Sequence, residues 1–195
     1  RFAGFKRTRA DAGALLNDAV HYLDLYLWLN PAKPSSVYAV TRDHFGRGLE
    51  DFALLVLQFA DGTTAHIETG YVLPGRWPDT VVPGALTSKE ISVSGSRGAI
   101  EIDYAGETMR LHRVQHRPIG GQWHPEFGPA PILDAPSANP VAVVVAELGA
   151  LVAAWQRSDP PDGDGLDGAV QLARLLDAAA LSARTGQAID LTAQS

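Results

Sequence analysis

The sequence predicts an α+β domain built on a largely antiparallel sheet. Three observations predict it: one strongly apolar helical segment opens the chain, β-branched and alternating segments fill its middle, and two more helical segments close it. Elements segregated in this way favour antiparallel pairing, whereas βαβ arrays interleave strands and helices.

The first helix is read over residues 12–29, with Asp11 as N-cap and Asn30-Pro31 as stop. Leu16, Val20, Leu23 and Leu27 fall on one helical face and predict its core side. "SSVYAVTRD" (35–43) and "DFALLVLQFA" (51–60) read as strands, and the second is apolar on both sides, as a strand covered on both faces would be. Asp61-Gly62 then marks a hairpin into "TTAHIETGYV" (63–72). Residues 73–86 carry three prolines and two glycines and predict a loop. "KEISVSGSRGAIEIDY" (89–104) predicts a second hairpin turning at Gly95–Gly98, and "ETMRLHRV" (107–114) extends the meander. Repeated Pro and Gly over 115–140 predict a long loop. A helix over about 140–157 with Val145, Leu148, Gly149, Val152 and Trp155 on one face follows. A last helix starts near Asp164 or Asp167 and stops at Gly186, before a short strand at 188–191.

Composition narrows the function. The 195 residues suffice for one domain with a sizeable core. Apolar residues at 46% and charged residues at 19% are those of a folded chain. A net charge of −6 argues against a nucleic-acid or anionic-membrane partner, both of which need a cationic field. Zero cysteines exclude disulfides and thiolate metal sites and fit a reducing, cytoplasmic compartment. The longest apolar stretch, 141–155, contains Glu147 and falls short of the about 20 residues a bilayer requires. The chain begins at Arg1 and its single methionine is Met109, which reads as a piece of a longer protein.

No G-x-G-x-x-G lies between a strand and a helix, and no P-loop is present. The turn at 95–98 has strands on both sides, where an RNA-binding GXXG loop would need helices. His112 and His116 lie four apart at a strand end, a spacing that converges on a metal only in a helix, so no metal is expected. His66 and Glu68 share a face of their strand, and His44 lies in a polar turn. His21 stands apart. At about 100° per residue, Asn17, His21, Asp24 and Trp28 form one stripe beside the Leu/Val stripe, while Asp18 points roughly 100° away from Asn17. An imidazole held by an acid at i+3 and an amide at i−4 suits general acid–base work near neutral pH. The same pattern also fits a buried histidine satisfied by Asp24.

"AGALLNDAVHYLDLYLWLN" resembles a motif of the glucose–fructose oxidoreductase / inositol dehydrogenase (Gfo/Idh/MocA) family: glycines, apolar residues, Asp, three residues, His, two residues, Asp, and an apolar turn ending in Trp-Leu. "DFALLVLQFADGTTAHIETGY", "KEISVSGSRGAIEI" and "DGLDGAVQLARLLDAAALSARTGQAIDL" are similar to the later elements of its C-terminal domain, in the same order. The resemblance implies an open, largely antiparallel mixed sheet with helices packed on one face. It implies a single C-terminal substrate-binding and oligomerisation domain over 1–195, with the Rossmann domain that binds most of the NAD or NADP absent from this chain. The expected activity of the full-length enzyme is oxidoreduction at a secondary alcohol or ketone of a sugar, cyclitol or related polyol, with the isolated chain inactive. His21 falls on the family's catalytic His and Asn17 on its usual Asp. That departure matters, because an amide can bond a hydroxyl but cannot take its proton. The proton role then shifts to His21 and to a lysine of the other domain. Lys6, Arg7 and Arg9 precede the helix and are candidate substrate-binding residues, with a solvated basic edge as their alternative reading. A homo-oligomer, dimer or higher, is expected through the sheet face. Two rivals stand beside this reading: a non-catalytic ligand-binding or assembly module of the same fold, and an unrelated α+β protein in which His21 is a core residue.

Overall fold

The structure, a computed structural model, describes residues 13–71, 73–78, 84, 86–103, 108–134, 140–157 and 165–192. It is α+β, with antiparallel sheets and three α-helices among the described residues. The chain divides into two compact units, Arg1–Leu73 with Ala154–Ser195, and Pro74–Ala153.

The first unit opens with a π-helical turn, Leu15–Ala19, that runs into helix α1, Val20–Leu29. Asn30 ends α1 in extended conformation, and its side chain then accepts the Ala32 N–H at 3.0 Å. The expected cap Asp11 lies outside the described residues. Strands β1 (Pro34–Arg42), β2 (Phe52–Phe59) and β3 (Thr64–Gly70) follow, with the predicted tight turn at Asp61-Gly62. There the Asp61 carboxylate accepts the Thr63 N–H at 2.9 Å and its hydroxyl at 3.0 Å. Near the end of the chain, helix α3 (Gly165–Thr185) leads to strand β11 (Ile189–Asp190), which completes a four-stranded sheet of order β11–β1–β2–β3.

One face of that sheet is the core. Val37, Ala39, Ala53, Leu55, Leu57 and Ile67 are buried beneath Leu15, Ala19 and Leu23 of the first helical segment and Leu175, Ala178 and Ala179 of the last. Fully burying one such leucine contributes about 1.5–3 kcal/mol. The seam differs from the predicted Leu16/Val20/Leu23/Leu27 face, for Leu16 is exposed and Leu15 takes its place. The π turn is the reason: its i→i+5 bonding slows the rotation of residues about the axis, so a wheel of regular α pitch loses phase there. On the other face Val40, Leu54 and Val56 are half-buried and Tyr38, His66 and Glu68 exposed, so among the described residues the second face of β2 is only partly covered.

The second unit holds a two-residue pairing of β4 (Trp77–Pro78), inside the predicted loop, with β5 (Leu86–Thr87) at its end. Strands β6 (Glu90–Gly95) and β7 (Gly98–Asp103) form the predicted hairpin. Strand β8 runs from Thr108 to Ile119 and continues into β9 (Gln122–Phe127) and β10 (Ile132–Asp134), both paired with β8. The long loop expected over 115–140 is therefore corrected: its first half is a hairpin. Gly120 and Gly121, at φ 59° and 80°, supply the two left-handed residues that a two-residue hairpin needs. Register places Ile91, Val93, Ile100, Ile102, Met109 and Leu111 on one face of this sheet, opposite a charged face that carries Glu101, Arg110 and His112.

Helix α2 runs Pro140–Arg157, and the face read from the sequence is exposed at Val145, Leu148, Val152 and Trp155. Helix α3 runs Gly165–Thr185 and stops at Gly186, whose N–H bonds the Ser182 carbonyl at 2.8 Å. Strand β11 (Ile189–Asp190) pairs with Ser36 and Val37 of β1. Beyond the reach of β11, the buried Ser182 hydroxyl accepts the Ala39 N–H at 2.9 Å and donates to the Gln187 carbonyl at 2.6 Å. No helix of the described residues is long and apolar enough to cross a membrane.

Candidate functional site

The π turn brings a polar cluster together at the start of the first helix. Asn17 Nδ2 donates to Asp18 Oδ1 at 2.6 Å and to the Tyr71 hydroxyl at 3.1 Å. Asp18, read as pointing about 100° away from Asn17, still reaches the Asn17 amide as the next residue along the chain and so belongs to the cluster. His21 and Asp24 are exposed further along. Among the described residues neither Asn17 nor Asp24 hydrogen-bonds His21, so the expected imidazole held by those neighbours is not formed. The alternative of a buried histidine satisfied by Asp24 also fails, since both residues face solvent. Lys6, Arg7 and Arg9 lie outside the described residues.

Three residues that sequence reasoning missed complete the cluster. Tyr71 leaves the end of β3, and its N–H bonds the Asp51 carbonyl at 2.8 Å. Burial, and then the negative charge of Asp18, push its phenol up to about 12, so it stays protonated across the physiological range. The Arg47 guanidinium lies 5.4 Å from the Tyr71 ring centroid, a cation–π contact. Arg47 Nη2 also donates to the Glu50 carbonyl at 3.4 Å.

The loop between β1 and β2 holds Arg47 there. Asp51 is fully buried, and its carboxylate accepts the N–H groups of His44 at 3.0 Å and Phe45 at 2.7 Å. Asp43 accepts those of Arg47 at 2.9 Å and Gly48 at 2.7 Å, and the Arg47 bond foremost holds its carboxyl below the usual range. Glu50 closes on the helix start: its carbonyl takes the Ala14 N–H at 3.0 Å and its carboxylate the Leu15 N–H at 3.3 Å. That approach requires Gly13, where a Cβ would collide with the Glu50 carboxylate. The aspartates before and within this glycine-containing turn were a readable capping signal. Tyr71 had none, standing 54 residues from its partner.

Neither the start of the first helical segment nor the turn at 95–98 offers free amides for the phosphates of a dinucleotide. The first helical segment has its opening amides occupied by Glu50, which would also repel an anion. The Ser96-Arg97 turn opens no helix, and the Arg97 carbonyl accepts the Val114 N–H at 3.1 Å within the sheet. Nor do three metal-binding side chains converge among the described residues. His112 lies inside β8 and not at its end, and it meets Glu101 at 3.2 Å. His116 sits opposite Pro125, and His124 opposite Arg117.

Residues 3–101 match the family model of the GFO/IDH/MocA C-terminal domain. Among solved structures, an aldose-aldose oxidoreductase from Caulobacter crescentus, complexed with glycerol, matches 97% of this chain and 52% of its own at 24% identity and a TM-score of 0.65. An oxidoreductase from Agrobacterium radiobacter, in complex with NAD+, L-tartaric acid and magnesium, matches 93% and 50% at 17% identity, TM-score 0.65. The WlbA dehydrogenase from Bordetella pertussis, in complex with NADH and UDP-GlcNAcA, matches 92% and 45% at 24% identity, TM-score 0.58. These likenesses are of fold, and the chain spans about half the length of each structure. No curated protein matches the sequence.

Proposed function

From the premise that the chain belongs to the GFO/IDH/MocA family, as a C-terminal domain, we propose that it is the substrate-binding and oligomerisation domain of an NAD(P)-dependent oxidoreductase. The substrate is a sugar, cyclitol or related polyol, reacting at a secondary alcohol or ketone. The NAD or NADP is bound mainly by a dinucleotide-binding domain outside this chain, and the nicotinamide supplies the redox chemistry. A cytoplasmic location belongs to the same reading.

The observation that carries it is the exposed imidazole of His21, on a helix whose preceding turn fixes Asn17. An exposed, unbonded imidazole can take a proton from a carbinol hydroxyl and return it. Asn17 lends an amide that orients a neighbouring hydroxyl and moves no proton. Lys6, Arg7 and Arg9 are proposed as substrate contacts from their place in the sequence alone. The amide at position 17 favours a second reading, a non-catalytic ligand-binding or assembly module.

Turnover separates the two. Full-length protein is assayed with NAD+ and NADP+ against a panel of sugars and cyclitols, and His21→Ala is expected to lower kcat by roughly 10²–10⁴ with little change in Tm. Equal turnover in the variant would remove His21 from the chemistry. No turnover with any substrate would leave the module reading.

A further inference from the structure

We propose that Tyr71 is a positioning residue whose hydroxyl, by accepting a hydrogen bond from the Asn17 amide, turns the Asn17 oxygen outward as a fixed acceptor for a substrate hydroxyl. The proposal deepens the polyol reading above and rests on it.

Asparagine offers two N–H donors on one nitrogen and a single oxygen acceptor. Both donors of Asn17 have acceptors, Asp18 Oδ1 at 2.6 Å and the Tyr71 hydroxyl at 3.1 Å. Turning the amide over would bring its oxygen against the Asp18 carboxylate, acceptor against acceptor. The orientation is therefore set by two bonds and one repulsion. What remains is the amide oxygen, which has no partner among the described residues. A group in that position binds a hydrogen-bond donor, so it selects a neutral hydroxyl and disfavours a carboxylate or phosphate.

Tyr71 is built to hold that geometry. Its backbone is tied to Asp51, its ring is covered by Arg47, and its phenol stays neutral at any working pH. A phenolate would accept the same bond but would add a second negative charge beside Asp18.

Two measurements on the full-length protein test the proposal. With ¹⁵N-labelled asparagine, Tyr71→Phe is expected to shift the Asn17 side-chain amide resonances and to speed their exchange with water. In turnover assays with the best substrate of the panel, the same variant is expected to raise KM about 3–10-fold, the loss of one hydrogen bond, with kcat within about two-fold. In an Asn17→Ala background it should raise KM no further. A KM rise of equal size in both backgrounds overturns the positioning role, because Tyr71 would then act without Asn17. Turnover with unmoved amide resonances overturns the link between the two residues alone. Moved resonances without turnover on any polyol or sugar overturn the substrate assignment and leave that link standing.

Discussion

At the residue scale, Asp51 has no solvent exposure, and its side chain is kept there because two backbone N–H groups donate to its carboxyl oxygens. Its own backbone joins the Arg42 carbonyl to the Tyr71 N–H, so one residue ties the loop of Arg47 to the end of β3. Asp51→Ala leaves those two amides without their acceptor and is expected to cost about 1–3 kcal/mol, read as a lower melting temperature. An unchanged melting temperature would mean that the loop does not depend on it. Contacts of this kind explain what was readable from sequence at the candidate site. His21 and Asn17 stand out as candidates in the sequence because a helical spacing and a family motif both point at them. Tyr71, Arg47 and Glu50 come from separate loops and strand ends, where no periodicity marks a residue.

At the element scale, the strands of the first unit were legible because each carries its own signal. Asp61-Gly62 sets the β2–β3 turn, and alternate residues of β3 are buried at Ile67 and Thr69. The β8–β9 hairpin was not legible, since Pro118 and Pro125 within it read as loop residues. Prolines are tolerated in a strand whose N–H at that position is not needed by a neighbour. Ser182 shows a different element-level constraint. A helical serine has poor helix propensity, yet this one is buried and satisfies a β1 amide beyond the two-residue pairing of β11. Ser182→Ala is expected to destabilise the protein by about 1–3 kcal/mol, because the Ala39 N–H and the Gln187 carbonyl both lose their partner. Ser182→Thr keeps the hydroxyl but adds a methyl at a fully buried position, so it should fall between wild type and alanine. Denaturant midpoints of the three proteins test that order, and a wild-type midpoint for alanine would contradict the role.

At the scale of the whole molecule, the sheet of the first unit has two unlike faces. Helices α1 and α3 bury one, and the other presents rows set by register: Tyr38, Val56 and His66 in one, Val40, Leu54 and Glu68 in the next. Three of the six are half-buried aliphatic residues, which a face meant only for water would not require. We propose that this face meets its copy in a homo-oligomer, and two-fold closure is the simplest arrangement because it sets the same patch against itself. Val56 is the residue to test, since it lies on a central strand and its row crosses the middle of the patch. In a monomer, Val56→Lys replaces a partly exposed valine and should change stability little. In a dimer closed through this face, it sets two charges against each other in a desolvated contact and should weaken association by orders of magnitude. Sedimentation of the full-length protein is expected to show a dimer or larger assembly, and Val56→Lys a folded monomer at the same concentration. A wild type that is monomeric at every concentration, or a variant that assembles as the wild type does, would place any interface elsewhere.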